Sequence, residues 1–493
     1  MSGYNFLSNR PLKELDQKSD LFDILKKLEF IKLFLEKETN YLKENNMIVL
    51  YGNWGSGKTS LINSIKNQID KRIYKPVIFN AWRYEKDENL AYSLFEFLLD
   101  ELHVTIKVQK KIRKVASILL KGSLKSIKVI GNIVSEYEKY LNKVSSEKSL
   151  YKKIAKFEKE FNCILESSLK NNKLLLVFVD DLDRCNPENV LGLLSSIKLF
   201  FTLGEESSLN EPKSRVIYFC GLDKNAVIKA AELKYEDKIK AEEYLEKIFD
   251  ISFYMSKNYD TEIFVEKSQL FDKDKSIIIS KFLNTIKFTN PRHLKKIFNK
   301  YQLISLIKEK FTDEFGKLIP EIIRNEKGYI FDTILVLFFL ILYEFNYPEY
   351  EEIKAYEDKF ENYTIHLTNQ SLKSISIQEK ENLVKTYLKA NKPFFNFGDI
   401  SRWEYLSSEE PQTNFHKFLS FFTPRIDKDF VFKSIKGSFN YFEQFEYSEK
   451  QILIDFCKFI YDHIKEITIT EIEQHLNKDY NLFTLFDMVE TLL

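Results

Sequence analysis

Residues Met47–Ser60 read MIVLYGNWGSGKTS, and this stretch decides the fold. Met47–Tyr51 is a short apolar run without polar alternation, the pattern of a strand buried on both faces of a parallel sheet. Gly52, Asn53, Trp54, Gly55, Ser56, Gly57, Lys58 and Thr59 then fit the spacing G-x-x-x-x-G-K-[ST] at every required position. Each residue type has a physical reason. Glycines allow the tight turn that aims backbone N–H groups at phosphate oxygens, and the helix opening near Lys58 adds the positive end of its dipole. Lys58 can reach β- and γ-phosphates, and the Thr59 hydroxyl can ligate magnesium. With Ser60 as the next residue of that helix, Gly52–Ser60 are the candidate nucleotide-binding residues. Helical spacing resumes over Ser60–Ile69.

A second stretch supplies the acids. Leu174–Arg184 reads LLLVFVDDLDR, an apolar strand running into carboxylates. Asp180 at the strand end is the candidate magnesium ligand beside Thr59. Asp181 is placed to polarise an attacking water as general base. Asp183 is the alternative base, or a helix cap, since Asp at a helix start is ordinary. Arg184 either pairs with these acids or serves as an arginine finger toward a neighbouring subunit. The candidate catalytic set is therefore Lys58, Asp181, Asp183 and Arg184.

Further apolar runs at Pro76–Phe79 and Arg215–Gly221 alternate with helical spacing at Asp20–Asn46, Leu90–Leu102 and a Lys-rich stretch reaching about Lys170. Strands alternating with helices predict an α/β fold with a parallel sheet covered on both faces. After about Asn258 the pattern becomes helical, with a break at Asn290–Pro291, and an aromatic-rich, mainly helical region follows. The expected segments are 1–103, with an N-terminal helix and the phosphate-loop half of the core; 104–170, a helical Lys-rich insertion; 171–325, the rest of the core; and 326–493, a helical partner or effector region.

Composition sets limits. A net charge of +1 gives no global pull toward nucleic acid or membrane, so an electrostatic partner needs a local patch. Cys163, Cys185, Cys220 and Cys457 are far apart with no metal spacing, which reads as reduced thiols. No apolar run follows the basic residues of the N-terminus, so no signal peptide is expected. Ile330–Tyr343 (IFDTILVLFFLILY) falls short of the roughly 20 residues that span a bilayer and reads as a buried helix. The expected setting is cytoplasmic, with peripheral membrane attachment as an option.

Six ordered blocks carry a resemblance: GNWGSGKTSLIN, VIFNAWRYEKDENLAYSL, VDDLDRCNPENV, VIYFCGLDKNAV, YLEKIFDISFYM and NPRHLKKIFN. Together, over about Asp20–Tyr301, they resemble the KAP family of P-loop NTPases. The resemblance implies an additional-strand core like those of AAA+ and STAND proteins, with one strand between the P-loop strand and the magnesium-site strand. It implies ATP and magnesium as cofactors; no N-K-x-D base-reading motif follows the fourth strand. By the same resemblance Asp223 stands in a γ-phosphate sensor position, and Arg292, with Lys295 and Lys296, belongs to a basic helix that closes on the nucleotide. Trp82 stands where the family carries a tryptophan after its second strand, and reads as packing.

Many prokaryotic relatives insert transmembrane helices between the two nucleotide motifs. Here Val104–Ile130 instead carries Lys107, Lys110, Lys111, Arg113, Lys114, Lys121, Lys125 and Lys128 with no acid, so no transmembrane segment is expected there. The Lys107–Lys128 stripe can lie on an anionic membrane surface, track nucleic-acid phosphates, or form a solvated arm packed on its own domain. The resemblance implies an ATPase that works as a conformational switch, with oligomerisation or a protein partner encoded nearby, in bacterial defence against phages or plasmids. A nucleotide-binding scaffold and a nucleic-acid-stimulated motor are the alternatives.

Overall fold

The computed structural model describes residues 6–87, 89–110, 112–113, 116, 148–169, 173–201, 214–235, 237–256, 258–310, 322–323 and 328–355, with five more between 452 and 463. The chain divides into two compact units, Arg10–Lys257 and Met1–Asn9 with Asn258–Leu493. The division coincides with the change of residue pattern after Asn258.

The first unit is built on five strands: β1 Met47–Tyr51, β2 Tyr74–Asn80, β3 Leu174–Asp180, β4 Val216–Leu222 and β5 Ile251–Tyr254. All pairings are parallel, and the order is β2-β3-β4-β1-β5. The strand expected between the P-loop strand and the acid-bearing strand is β4. Every residue of β1, β3 and β4 is buried, which is why these strands read as unbroken apolar runs.

The helices of this unit are α1 Leu25–Lys37, α2 Thr39–Leu42, α3 Lys58–Gln68, α4 Leu90–Glu101, α5 Lys148–Ser168, α6 Pro187–Ser196, α7 Lys224–Tyr235 and α8 Lys238–Ile248. Met47, Val49 and Tyr51 join one core with Leu94 and Leu98 of α4, Phe157 and Phe161 of α5, Leu194 of α6 and Leu245 of α8. Alternation sends Ile48 and Leu50 to the other face. On that side Phe219 packs against Phe178 and Phe253, and Phe34 of α1 meets Phe253 edge-on.

Three local features depart from the sequence expectation. The helix expected over Asp20–Asn46 begins only at Leu25, because the Asp20 carboxylate accepts the N–H groups of Phe22, Ile24 and Leu25 and holds the chain in a turn. Upstream, the backbone of residues 12–15 is fastened along α3: Ser60 Oγ accepts the Leu12 N–H, and Asn63, Asn67 and Gln68 donate to the carbonyls of Leu12, Lys13 and Leu15. The fifth strand was not foreseen, since ISFY at a sheet edge is short and alternately exposed.

In the second unit the helices are α9 Thr261–Ser268, α10 Lys273–Thr285, α11 Pro291–Lys310, α12 Ile330–Phe345 and α13 Tyr347–Ala355. Asn290 caps α11 by accepting the N–H groups of Arg292 and His293, so the break expected at Asn290–Pro291 is a helix start. Ile334–Leu342 of α12 are all buried. The helix has 16 residues, about 24 Å at 1.5 Å per residue against a hydrocarbon core of about 30 Å. Among the described residues no helix is long and apolar enough to cross a membrane. Near its end Glu344 pairs with both Lys296 and Lys300 of α11, whose ammonium groups also stand over the rings of Phe345 and Tyr343.

Candidate functional site

The candidate site of the first unit lies where β1, β3 and β4 end, which is where open parallel sheets place ligand crevices. β1 runs into the glycine loop, and α3 opens at Lys58 behind Gly57, whose φ of 96° lies in the left-handed region that favours glycine. Lys58 is buried, yet its ammonium is held: Nζ donates to the Gly52 carbonyl at 2.7 Å and to Asn53 at 3.4 Å. The same Nζ lies 3.5 Å from Asp183 Oδ2. Ser56 is buried in the loop, whereas Trp54 is 63% exposed.

Asp180, 2% exposed, closes β3 next to α3, and its carboxylate is hydrogen-bonded to the Thr59 side chain. Burial and the neighbouring Asp181 push it up to about 6, against the lowering effect of the Thr59 bond. Gly221 on β4 makes the close approach possible: a Cβ there would stand 2.8 Å from Ile62 Cδ1 and 3.2 Å from Asp180 Oδ1.

The other two acids point to different partners. Asp181 adopts a left-handed backbone, φ 57°. Its Oδ2 accepts Asn80 Nδ2 at 2.8 Å and its Oδ1 pairs with Arg184 Nε at 2.8 Å. Asp183 Oδ2 accepts the Asp223 N–H at 3.0 Å besides facing Lys58. The Asp223 carboxylate itself caps α7, accepting from Asn225 and Ala226. Ser60 is turned to the N-terminal segment through its bond to Leu12.

The structure thus gathers Gly52, Lys58, Thr59, Asp180, Asp181, Asp183 and Arg184 at one sheet end, with the main chain of Asp223 beside Asp183. Arg292 belongs to the second unit, where it opens α11. Two participants went unassigned in the sequence, Asn80 and Gly221. Each has a legible signal, a polar residue and a glycine at the ends of apolar strands. Trp82, read as packing, is 54% exposed and its ring lies against the Arg184 guanidinium at 5.2 Å.

The residues fit magnesium held together with phosphates. Among the described residues no group of three or more His, Cys, Asp or Glu forms a metal cluster. One buried carboxylate beside one hydroxyl is the donor set of a hard cation that takes its remaining ligands from water and phosphate. The burial and the neighbouring Asp181 charge that raise Asp180 are what such a cation would offset.

Of the Lys-rich stripe, Lys107 and Lys110 are exposed, but Arg113 pairs with Glu96 of α4 at 2.5 Å. Ile112 and Ala116 are buried in the α4 core. The start of the stripe therefore packs on its own unit, and Lys111, Lys114, Lys121, Lys125 and Lys128 lie outside the described residues.

The KAP family P-loop domain matches residues 30–307, more than half of the chain, and the chain belongs to that family. Two uncharacterized proteins of Methanocaldococcus jannaschii are similar to it. One, MJ0181, is 34% identical over 266 residues, covering 50% of this chain and all of the relative. The other, MJ0182, is 30% identical over 194 residues, covering 31% of this chain and 98% of the relative. The solved ORC2 protein of Aeropyrum pernix, in ADPNP–ADP complexes, aligns with 84% of this chain and 87% of its own at 11% identity and a TM-score of 0.36.

Proposed function

We propose that this chain binds ATP with magnesium through Gly52–Thr59 and hydrolyses it, using the cycle as a conformational switch. The observation that supports this reading most is the meeting of Lys58, the Thr59–Asp180 pair and the acids Asp181 and Asp183 at one sheet end. Lys58, now resting on loop carbonyls and Asp183, moves its ammonium to the β- and γ-phosphates. Loop N–H groups bind the same oxygens. Thr59 and Asp180 would hold magnesium, which would supply neutralisation of phosphate charge when bound. Asp181 takes the proton of the attacking water as its oxygen bonds to the γ-phosphorus and ADP leaves. Asp183 faces Lys58 and the main chain of Asp223, which supports Asp181 as the general base in this reading.

Phosphate release from ATP-Mg, measured beside calorimetric binding, tests the reading. Asp181→Asn is expected to keep ATP bound while turnover falls at least about a hundredfold, the usual scale for loss of a general base. Normal turnover in that variant with loss in Asp183→Asn would move the role to Asp183. Wild type without turnover would leave a nucleotide-binding scaffold.

The resemblance extends the proposal to a setting in defence against phages or plasmids, with oligomerisation or a protein partner, and with Arg292 closing on the nucleotide. Exposed Lys107 and Lys110 offer the described part of an anionic contact. Their reversal to Glu, tested on anionic vesicles and on DNA, separates a membrane surface from a nucleic acid.

A further inference from the structure

Two exposed tryptophans of the first unit, Trp54 and Trp82, come from different elements and meet the same group. Trp54 belongs to the phosphate loop, and Trp82 to the turn Ala81–Tyr84 after β2. The Arg184 guanidinium carbon stands 5.8 Å from the ring centre of one and 5.2 Å from that of the other. The same guanidinium binds Asp181 through Nε at 2.8 Å. A line of contacts therefore runs from the loop, through one indole and one guanidinium, to an acid.

Alone, a partly exposed Arg–Asp pair is a loose device, because a long side chain must be kept in one geometry. Indole faces supply that restraint, since a planar guanidinium stacks on them while a lysine ammonium offers only a point charge. The turn that carries Trp82 is itself fastened. Asn80 Oδ1 accepts the Arg83 N–H at 3.3 Å, and Glu85 Oε1 accepts the Asn186 N–H at 2.8 Å, tying the turn to the segment that follows Arg184. At the far end Asp181 is held at both oxygens and by a left-handed backbone uncommon outside glycine.

We propose that Arg184 is a positioning residue that aims the Asp181 carboxylate, and that Trp54 and Trp82 set Arg184 in place. The proposal rests on Asp181 as the general base. It makes the loop that receives the phosphates also the element that orients the acid. Arg184 acts through Asp181 and touches no phosphate.

A double-mutant cycle on the full-length chain tests this by single-turnover phosphate release and calorimetric ATP binding. Arg184→Gln is expected to lower kcat about tenfold while ATP affinity stays within about twofold, and to add nothing in the Asp181→Asn background. Arg184→Lys should rescue little, because it keeps the charge but not the planar contact. Trp54→Ala should lower kcat and lose that kcat effect in the Arg184→Gln background, and Trp54→Phe should recover part of the loss. The proposal is overturned if Arg184→Gln leaves kcat unchanged, or if it lowers turnover by the same factor with and without Asp181, which would place Arg184 on the reacting phosphate. Normal turnover in Asp181→Asn alone would instead remove the general-base reading beneath it.

Discussion

The chain contains two partly buried ionic groups that behave in opposite ways. In the second unit Glu344 is met by two cations, Lys296 and Lys300, each covering an aromatic ring. In the first unit Asp183 faces Lys58 and Asp181 pairs with Arg184, while Asp180 meets the Thr59 side chain and, among the described residues, no cation at ion-pair distance. The Glu344 group is closed in that its one carboxylate is met directly by cations, and its work is to hold α11 to α12. The sheet-end group is open: burial and the neighbouring Asp181 raise Asp180, and no cation among the described residues pairs with it.

Lys58→Ala should break the comparison most visibly. It takes the cation from the open group, so affinity for ATP-Mg is expected to fall more than about a hundredfold. Calorimetric titration with wild-type affinity would remove the phosphate-loop reading. Glu344→Gln is the matching change in the closed group. It leaves two cations facing a neutral amide, so stability should drop by about 3 kcal/mol with ATP affinity unchanged. Urea denaturation and titration of one preparation check both halves.

Asp180→Asn sharpens the contrast with a gain. Burial, with Asp181 and Asp183 nearby, pushes the folded Asp180 up to about 6 against an ordinary 3.8, while Lys58 opens the neighbouring α3. Below pH about 4 both folded and unfolded forms carry the proton, and the burial costs nothing. As pH rises through 6 the folded chain must give the proton up in hostile surroundings, and stability falls. In chelator and without nucleotide, the Asn variant should therefore be more stable by about 1–2 kcal/mol at pH 7.5. The advantage should vanish at pH 4. A variant less stable than wild type at pH 7.5 would mean that the open group is already balanced.

Much of the open group was legible before the fold. Lys58, Thr59 and Asp180 are chemical requirements at fixed spacing beside apolar strands, so residue type and order suffice to bring them together. The closed group was not legible as a pair, because Lys296 and Glu344 are joined only by helix packing. Between these extremes stand Asn80 and Trp82. They end and follow a strand, β2, whose neighbour β3 becomes known only from the sheet order, and Trp82 reads as packing from its place after that strand. Exposure against Arg184 is a property of three segments together. The edge strand β5 was missed for a related reason: four residues with alternating exposure carry little periodicity.

The N-terminal segment fastened along α3 has a consequence for anyone shortening the chain. Its bonds run from backbone groups of Leu12, Lys13 and Leu15 to one face of the helix that opens at Lys58. Truncation after Leu15 would leave four side chains of that helix, Ser60, Asn63, Asn67 and Gln68, facing water in place of main chain. A shortened protein can therefore keep every residue of the nucleotide motif and still present it on a less firmly seated helix, so that weak nucleotide binding by a trimmed fragment would report on its missing leader and not on its loop.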